Sequence, residues 1–199
     1  MKEVIESLKK RGFGTVECST SEEAKLYLLN EISQDHSVGI GGSMSIEQLG
    51  IYELLVQRGS SVYWHWKSPE DMQSAREKAS SADIYLCSAN ALLTDGRMLS
   101  IDKTGNRLAA ALWGPRHVYL VIGKNKITEG GLEDGINRIK NTACPANAKR
   151  LGLNTPCALT GKCSDCSSAH RMCGAVTILE HSLDSHPITV IMVEEELGY

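Results

Sequence analysis

SVGIGGSMSIEQLGIYELLVQRG, residues 37–59, reads as strand, glycine turn, helix. Val38 and Ile40 suit a short strand, Gly41 and Gly42 end it, and Ile46, Leu49, Leu54 and Leu55 recur at helical spacing. The same alternation continues in both directions. Upstream, helices at 2–11 and 20–33 bracket a strand at 14–19, with Ser19, Thr20 or Ser21 as cap and Glu22 or Glu23 reaching back. Downstream come SSVYWHW as a strand (60–66) and a polar helix over 68–82 that opens with Ser68 and Pro69. Strands at 83–89 and 97–102 come next, with ALLTDG (91–96) as the turn between them, then the helix NRLAAALWG (106–114). HVYLVIG (117–123) is apolar without a break, as a parallel strand covered on both faces must be. One or two helices fill 132–152, and PITVIMVEEEL (187–197) holds a last strand. This order predicts an α/β fold with a mostly parallel sheet and helices on both faces. It forms a single domain over 1–199, with a Cys-rich insertion at 144–174 ahead of the last strand.

Composition excludes several classes. With 42% apolar and 23% charged residues the chain is an ordinary globular one. A net charge of -3 supplies no basic field for nucleic acid. MKEVIESLKKRGF at the N-terminus is charged and amphipathic, and no apolar run reaches the roughly 18 residues of a membrane span. A cytoplasmic protein without a membrane partner is the expectation. In that reducing compartment, seven cysteines point to metal or redox chemistry rather than a disulfide framework.

The glycine loop GIGGSMS (39–45) sits where a strand meets a helix, so its N–H groups and hydroxyls suit an anion or a carbonyl oxygen. Gly41, Gly42, Ser43, Met44 and Ser45 are the candidate binding residues, although such turns also occur for close packing alone. The loop matches neither the dinucleotide fingerprint nor the Walker loop. Residues 88–127 add Asn90, Asp95, Asp102, Asn106 and Arg107 near strand ends. The bland reading is a solvated hairpin whose DG and TGN tolerate positive φ. The functional one has Asn90, Asn106 and Arg107 beside the glycine loop, Arg107 offering a planar fork to a carboxylate or phosphate. Asp95 or Asp102 would then serve as acid or base. YWHW (63–66) could make an aromatic ledge, but its alternation favours a half-buried strand.

Cys157, Cys163, Cys166 and Cys173 fall within seventeen residues as CxxxxxCxxCxxxxxxC. Four thiols with one CxxC pair can hold zinc or a [4Fe-4S] cluster; structural zinc more often uses two close pairs. The competing reading is small buried hydrophobes. Cys144 and His170 are spare ligands, His170 reading as a surface residue, while Cys18 and Cys87 sit in strands and read as core. Some thirty residues with few bulky side chains need something to tie them.

Several stretches together resemble the LUD family, named for lactate utilisation: VGIGGSMSIEQLGIYELL, SANALLTDGRMLSIDKTGNRLAAALWGPRHVYLVIGKNKI, PCALTGKCSDCSSAHRMC and the terminal VEEELGY. The likeness runs the length of the chain and is most specific in TGNR and VxxVIGxNKI. It implies a Rossmann-like sheet of the sugar-phosphate isomerase and CoA-transferase superfamily, with a cleft over Gly41–Ser45 and Asn106–Arg107. Some relatives act beside iron-sulfur oxidases in the oxidation of L-lactate to pyruvate. The resemblance therefore implies a small anionic metabolite as ligand and an iron-sulfur oxidoreductase subunit as partner, and it tips the cysteine site toward a [4Fe-4S] cluster over zinc. It supplies no catalytic residue. A scaffold or regulatory module with a structural metal site stands as an alternative, and after it an isomerase or acyl-transfer enzyme. A homo-oligomer is compatible with all three.

Overall fold

In the computed structural model, which describes residues 1–69 and 71–199, ten strands form two sheets. The larger contains β1 (Gly14–Cys18), β2 (Val38–Ile40), β3 (Val62–Tyr63), β4 (Ile84–Cys87), β7 (His117–Gly123) and β10 (Ile188–Val193), in the order β1-β10-β7-β4-β2-β3. Every pairing in it is parallel. The smaller contains β5 (Ala91–Leu93), β6 (Met98–Asp102), β8 (Ile127–Thr128) and β9 (Ala175–Leu179), in the order β8-β5-β6-β9. There β6 runs antiparallel to both β5 and β9.

The unbroken apolar character of β7 has its reason in the layers. Val118, Leu120 and Ile122 enter one core; Tyr119 and Val121 enter the other. The first core is closed by Val4, Ile5 and Leu8 of α1 (Lys2–Lys10), Ala79 of α5 (Met72–Ser80), Ala110 of α6 (Asn106–Leu112), and Leu92, Met98 and Leu179 of the smaller sheet. The second is closed by α2 (Ser21–Glu31), α3 (Met44–Leu49) and α4 (Ile51–Gln57), through Ala24, Leu28, Ile46, Leu49, Ile51 and Leu55. A third cluster seats α7 (Leu132–Arg138), the π-helical turn Ile139–Ala143 and α8 (Cys144–Arg150) on the smaller sheet, against Ala91, Leu93, Leu99 and Ile101. Gly39 lets α5 approach β2 closely, since a Cβ there would stand 2.2 Å from the Ala79 carbonyl oxygen.

Side-chain chemistry accounts for the local details. Thr20 caps α2 by accepting from Glu23 N at 3.2 Å, and Glu23 Oε2 accepts from Ser19 N at 2.7 Å, a reciprocal pair of the kind the sequence suggests. The helix expected across 43–59 is broken into α3 and α4 by Gly50, which holds φ +65°. The polar helix is not opened by Ser68 and Pro69: Asp71 caps it, accepting from Gln73 N and Ser74 N, while Glu70 lies outside the described residues. ALLTDG is half strand, with Ala91–Leu93 forming β5 and the turn confined to residues 94–96. YWHW leaves the sheet after Tyr63, because the Trp64 carbonyl accepts from Lys67 N and Ser68 N and bends the chain away. The cysteine segment contains a short helix, α9 (Pro156–Thr160), and β9 lies between it and β10. No helix of the described residues is long and apolar enough to cross a membrane.

Candidate functional site

From β2 the chain moves outward to β3, whereas from β4 it moves the other way to β7. Loops leaving the carboxyl ends of β2 and β4 therefore diverge, and in open parallel sheets ligands bind in the crevice this creates. A cavity of about 400 Å³ opens there. Its wall joins the glycine loop (Gly42, Ser43, Met44) to Ser88, Ala89 and Asn90 beyond β4. Arg76, Lys103, Arg107, Lys126 and Arg150 line it, and Asp102 is the one acidic side chain among the described residues that does. Basic side chains thus outnumber acidic ones among the described residues of the cleft, in a chain whose net charge is -3.

These cations differ in availability. Arg107 is 8% exposed, and its fork is turned inward: Nη1 donates to the Ser88 carbonyl at 2.7 Å, and Nη2 to Asn90 Oδ1 at 2.9 Å and to the Ile101 carbonyl at 2.7 Å. It braces the exits of β4 and β6 and lends the cleft its charge. Gly41 makes room for it and for Tyr85, since a Cβ there would stand 2.8 Å from Tyr85 Oη and 3.1 Å from Arg107 Cγ. Arg150 spends two donors on Asn147 Oδ1 and lies over the Trp66 ring at 4.6 Å. Arg76 differs, because its buried Nε has no partner among the described residues.

Lys126 is the feature that sequence reasoning missed. It is 3% exposed, and its Nζ donates to Ser45 Oγ at 2.8 Å and Ser88 Oγ at 2.9 Å. Burial, with the charges of Arg107 and Arg138 adding to it, lowers its pKa to about 7. The signal was present in NKI, but a lysine in a polar turn reads as solvated. The terminal residues close over it: Ser45 Oγ donates to the Leu197 carbonyl at 3.1 Å, Asn125 Nδ2 to the Gly198 carbonyl at 3.1 Å, and Gly198 N to Gln48 Oε1 at 2.7 Å.

His65 and Trp66, bent out of the strand, line the cleft opposite Gly42. Desolvation first, and then the Arg76 charge, lower the His65 pKa to about 4, so it enters the site as a neutral imidazole. The aromatic ledge is therefore formed, by residues assigned to a strand on alternation alone.

The structure gathers Gly42, Ser43, Met44, Asn90, Asp102, Asn106 and Arg107 around one cavity, with Ser45 beneath it. Ser43 caps α3 by accepting from Ile46 N, but that helix has only six residues and little dipole to offer an anion. Asp102 accepts from Arg107 N at 3.2 Å and Lys103 N at 2.7 Å. Asp95 is not brought here. It lies in the β5–β6 turn, paired with Arg97 at 2.7 Å and Arg11 at 3.6 Å.

Cys144, Cys157, Cys163, Cys166 and Cys173 line one smaller cavity of about 10 Å³. The loop is tied by Arg171, whose Nη1 donates to the Cys166 carbonyl at 2.7 Å, Nε to the Cys173 carbonyl at 3.2 Å and Nη2 to Asp165 Oδ1 at 2.9 Å. Burial first, and then the neighbouring Cys173, Cys157 and Cys163, push the Cys144 thiol up to about 12. The donor set is that of a thiolate-ligated centre. The spacing is not that of a formed one, since no three His, Cys, Asp or Glu groups among the described residues stand close enough to hold a metal ion. Cys144 and Met172 line both cavities, so the thiol pocket and the cleft share a wall. Cys87 is buried in the first core and Cys18 in the second, and His170 is exposed.

A crystal structure of a DUF162 family protein from Deinococcus radiodurans has a similar fold, with TM-score 0.55 and 13% identity over 96% of this chain and 94% of that one. No curated protein matches the chain. The family model described as the LUD domain matches residues 1–193, and the chain belongs to the LUD domain family.

Proposed function

We propose that the protein binds a small anionic metabolite in the cleft between the glycine loop and Asn90, and contributes to the oxidation of lactate or a similar acid alongside iron-sulfur partners. The observation that carries this reading is the excess of cations around the cavity at the switch point, where Arg76 Nε is buried without a partner among the described residues. A carboxylate of the ligand would be drawn to the Arg76 guanidinium, which lines the cavity. Neutral His65 and the Asp102 carboxylate offer polar contacts for a hydroxyl on the same molecule. Membership of a family named for lactate utilisation supports the choice of acid.

The thiol pocket extends the proposal. Cys157, Cys163, Cys166 and Cys173 would hold an iron-sulfur cluster, or zinc in a purely structural role, with Cys144 facing both cavities. When bound, a cluster supplies one-electron transfer. The protein's own part is to place the thiols one wall away from the ligand and to keep their loop tied through Arg171. Anaerobic purification with iron, sulfide and zinc analysis tests this half, and less than about a tenth of an equivalent of each would end it. Turnover of L-lactate with an artificial electron acceptor tests the other half. Ligand binding without turnover, together with co-purification of a partner, would favour the scaffold reading.

A further inference from the structure

Hydrogen-bond counting at Lys126 exposes an amine with one valence unspent. Ser45 Oγ donates its own proton to the Leu197 carbonyl, and Ser88 Oγ donates to the Ala89 carbonyl at 3.2 Å. Both hydroxyls are therefore left as acceptors toward Nζ. A neutral amine has two N–H groups to give, which these serines take, and one lone pair left over. An ammonium would turn its third N–H toward the cleft that Lys126 lines. The charged groups around it favour the neutral amine: Arg107 arrives from α6 and Arg138 from α7, while Cys87 on β4 is a thiol whose own pKa burial raises to about 12. Lys126 lines the cleft, and the terminal backbone passes so near that a Cβ on Gly198 would stand 3.3 Å from Nζ.

We infer that the cleft is a covalent capture site for a 2-oxo acid, with Lys126 Nζ as the nucleophile. The inference deepens the proposed function and rests on it, since a 2-oxo acid is the product of oxidising a 2-hydroxy acid. The Nζ lone pair attacks the ketone carbon, and the carbonyl π pair passes to oxygen to give a carbinolamine. The two amine protons then leave with that oxygen as water, and a carbon–nitrogen double bond remains. Neither an oxidant nor a reductant is consumed. Ser88 Oγ, 2.9 Å from Nζ, can relay the proton to the departing oxygen. The Arg76 guanidinium, which lines the same cleft, suits the adjacent carboxylate. Desolvated lysines beside other cations are the ones that form such adducts near neutral pH.

Borohydride reduction tests this on the full-length protein. The chain is incubated with pyruvate or 2-oxobutanoate, reduced, and mapped by peptide mass spectrometry. One reduced adduct on Lys126 is expected, unchanged in Lys124→Arg, lost in Lys126→Arg, and rising with pH through about 7. Mapping the native chain keeps the test valid even where Lys126→Arg fails to fold. Labelling spread over exposed lysines, or labelling by an aldose phosphate in preference to the 2-oxo acids, would overturn the inference. Calorimetric binding of pyruvate without any adduct would overturn the covalent step alone and leave the proposed function standing. Absence of both would remove the two together.

Discussion

Lys126 Nζ and Ser88 Oγ stand 2.9 Å apart, joining the chain just after β7 to the chain just after β4 across adjacent strands. This pair, with Ser45, puts an amine into a buried place where a hydrocarbon would cost less. Replacing it should therefore raise stability while it removes binding. Between pH 7 and 9 the unfolded chain carries the lysine proton and the folded chain gives it up, so stability rises with pH in that window. Relative to Lys126→Met, the native protein should gain about 2 kcal/mol on going from pH 7 to pH 9. Urea midpoints for both at the two pH values check this, and an equal gap at both would contradict it.

His65 titrates in the opposite part of the range. Its folded pKa of about 4 lies below the ordinary 6.5, so the neutral form is favoured by folding and stability falls as pH drops from 6.5 towards 4. His65→Gln should flatten thermal melting temperature against pH over that interval. A native curve already flat there would show that the imidazole is not desolvated as described.

The two aspartates separate by location. Burial opposes ionisation of Asp95, but the hydrogen bonds of Arg97 and the charges of Arg97 and Arg11 prevail and hold its carboxyl below the usual range. Its contribution is therefore present above pH 4 and lost in acid. Asp95→Asn should cost about 1 kcal/mol or less, as surface pairs do, and leave ligand binding untouched. Asp102→Asn, within the cleft, should change the affinity for lactate by several-fold. Calorimetry on both variants distinguishes them, and equal effects would refute the placement.

Two glycines test the fold. At Gly50 a Cβ meets nothing within 4 Å, so Gly50→Ala carries only the left-handed backbone penalty, about 1 kcal/mol. At Gly39 the Cβ would stand 2.2 Å from the Ala79 carbonyl oxygen, so Gly39→Ala must push α5 off β2 and should cost about 3 kcal/mol or more. Denaturant unfolding of the pair checks the ranking.

Periodicity made the parallel sheet legible, because β7 and β10 are buried on both faces and their sequences show it. The smaller sheet was obscured: β8 is two residues long, and β9, though apolar in sequence, follows directly on the Cys-rich segment and is largely exposed. The glycine loop, Asn90, Asp102 and Arg107 were legible as candidates, and they gather around one cavity, because polar residues at strand ends stand out. Arg107's inward turn was not, since its acceptors are carbonyls, which every sequence position supplies. Lys126 became visible only once the crossing of the terminal residues set its surroundings, and the ledge of His65 and Trp66, ranked below a strand in the sequence, formed because the chain bends at Trp64.

The central claim is that the cation-lined cleft binds a small carboxylate, and isothermal calorimetry with L-lactate and pyruvate tests it most directly. The native protein should give saturable heat with one site per chain, and Arg76→Ala should weaken it about tenfold, the loss of one charge-assisted contact. No heat with either acid, or full affinity retained in Arg76→Ala, would contradict it.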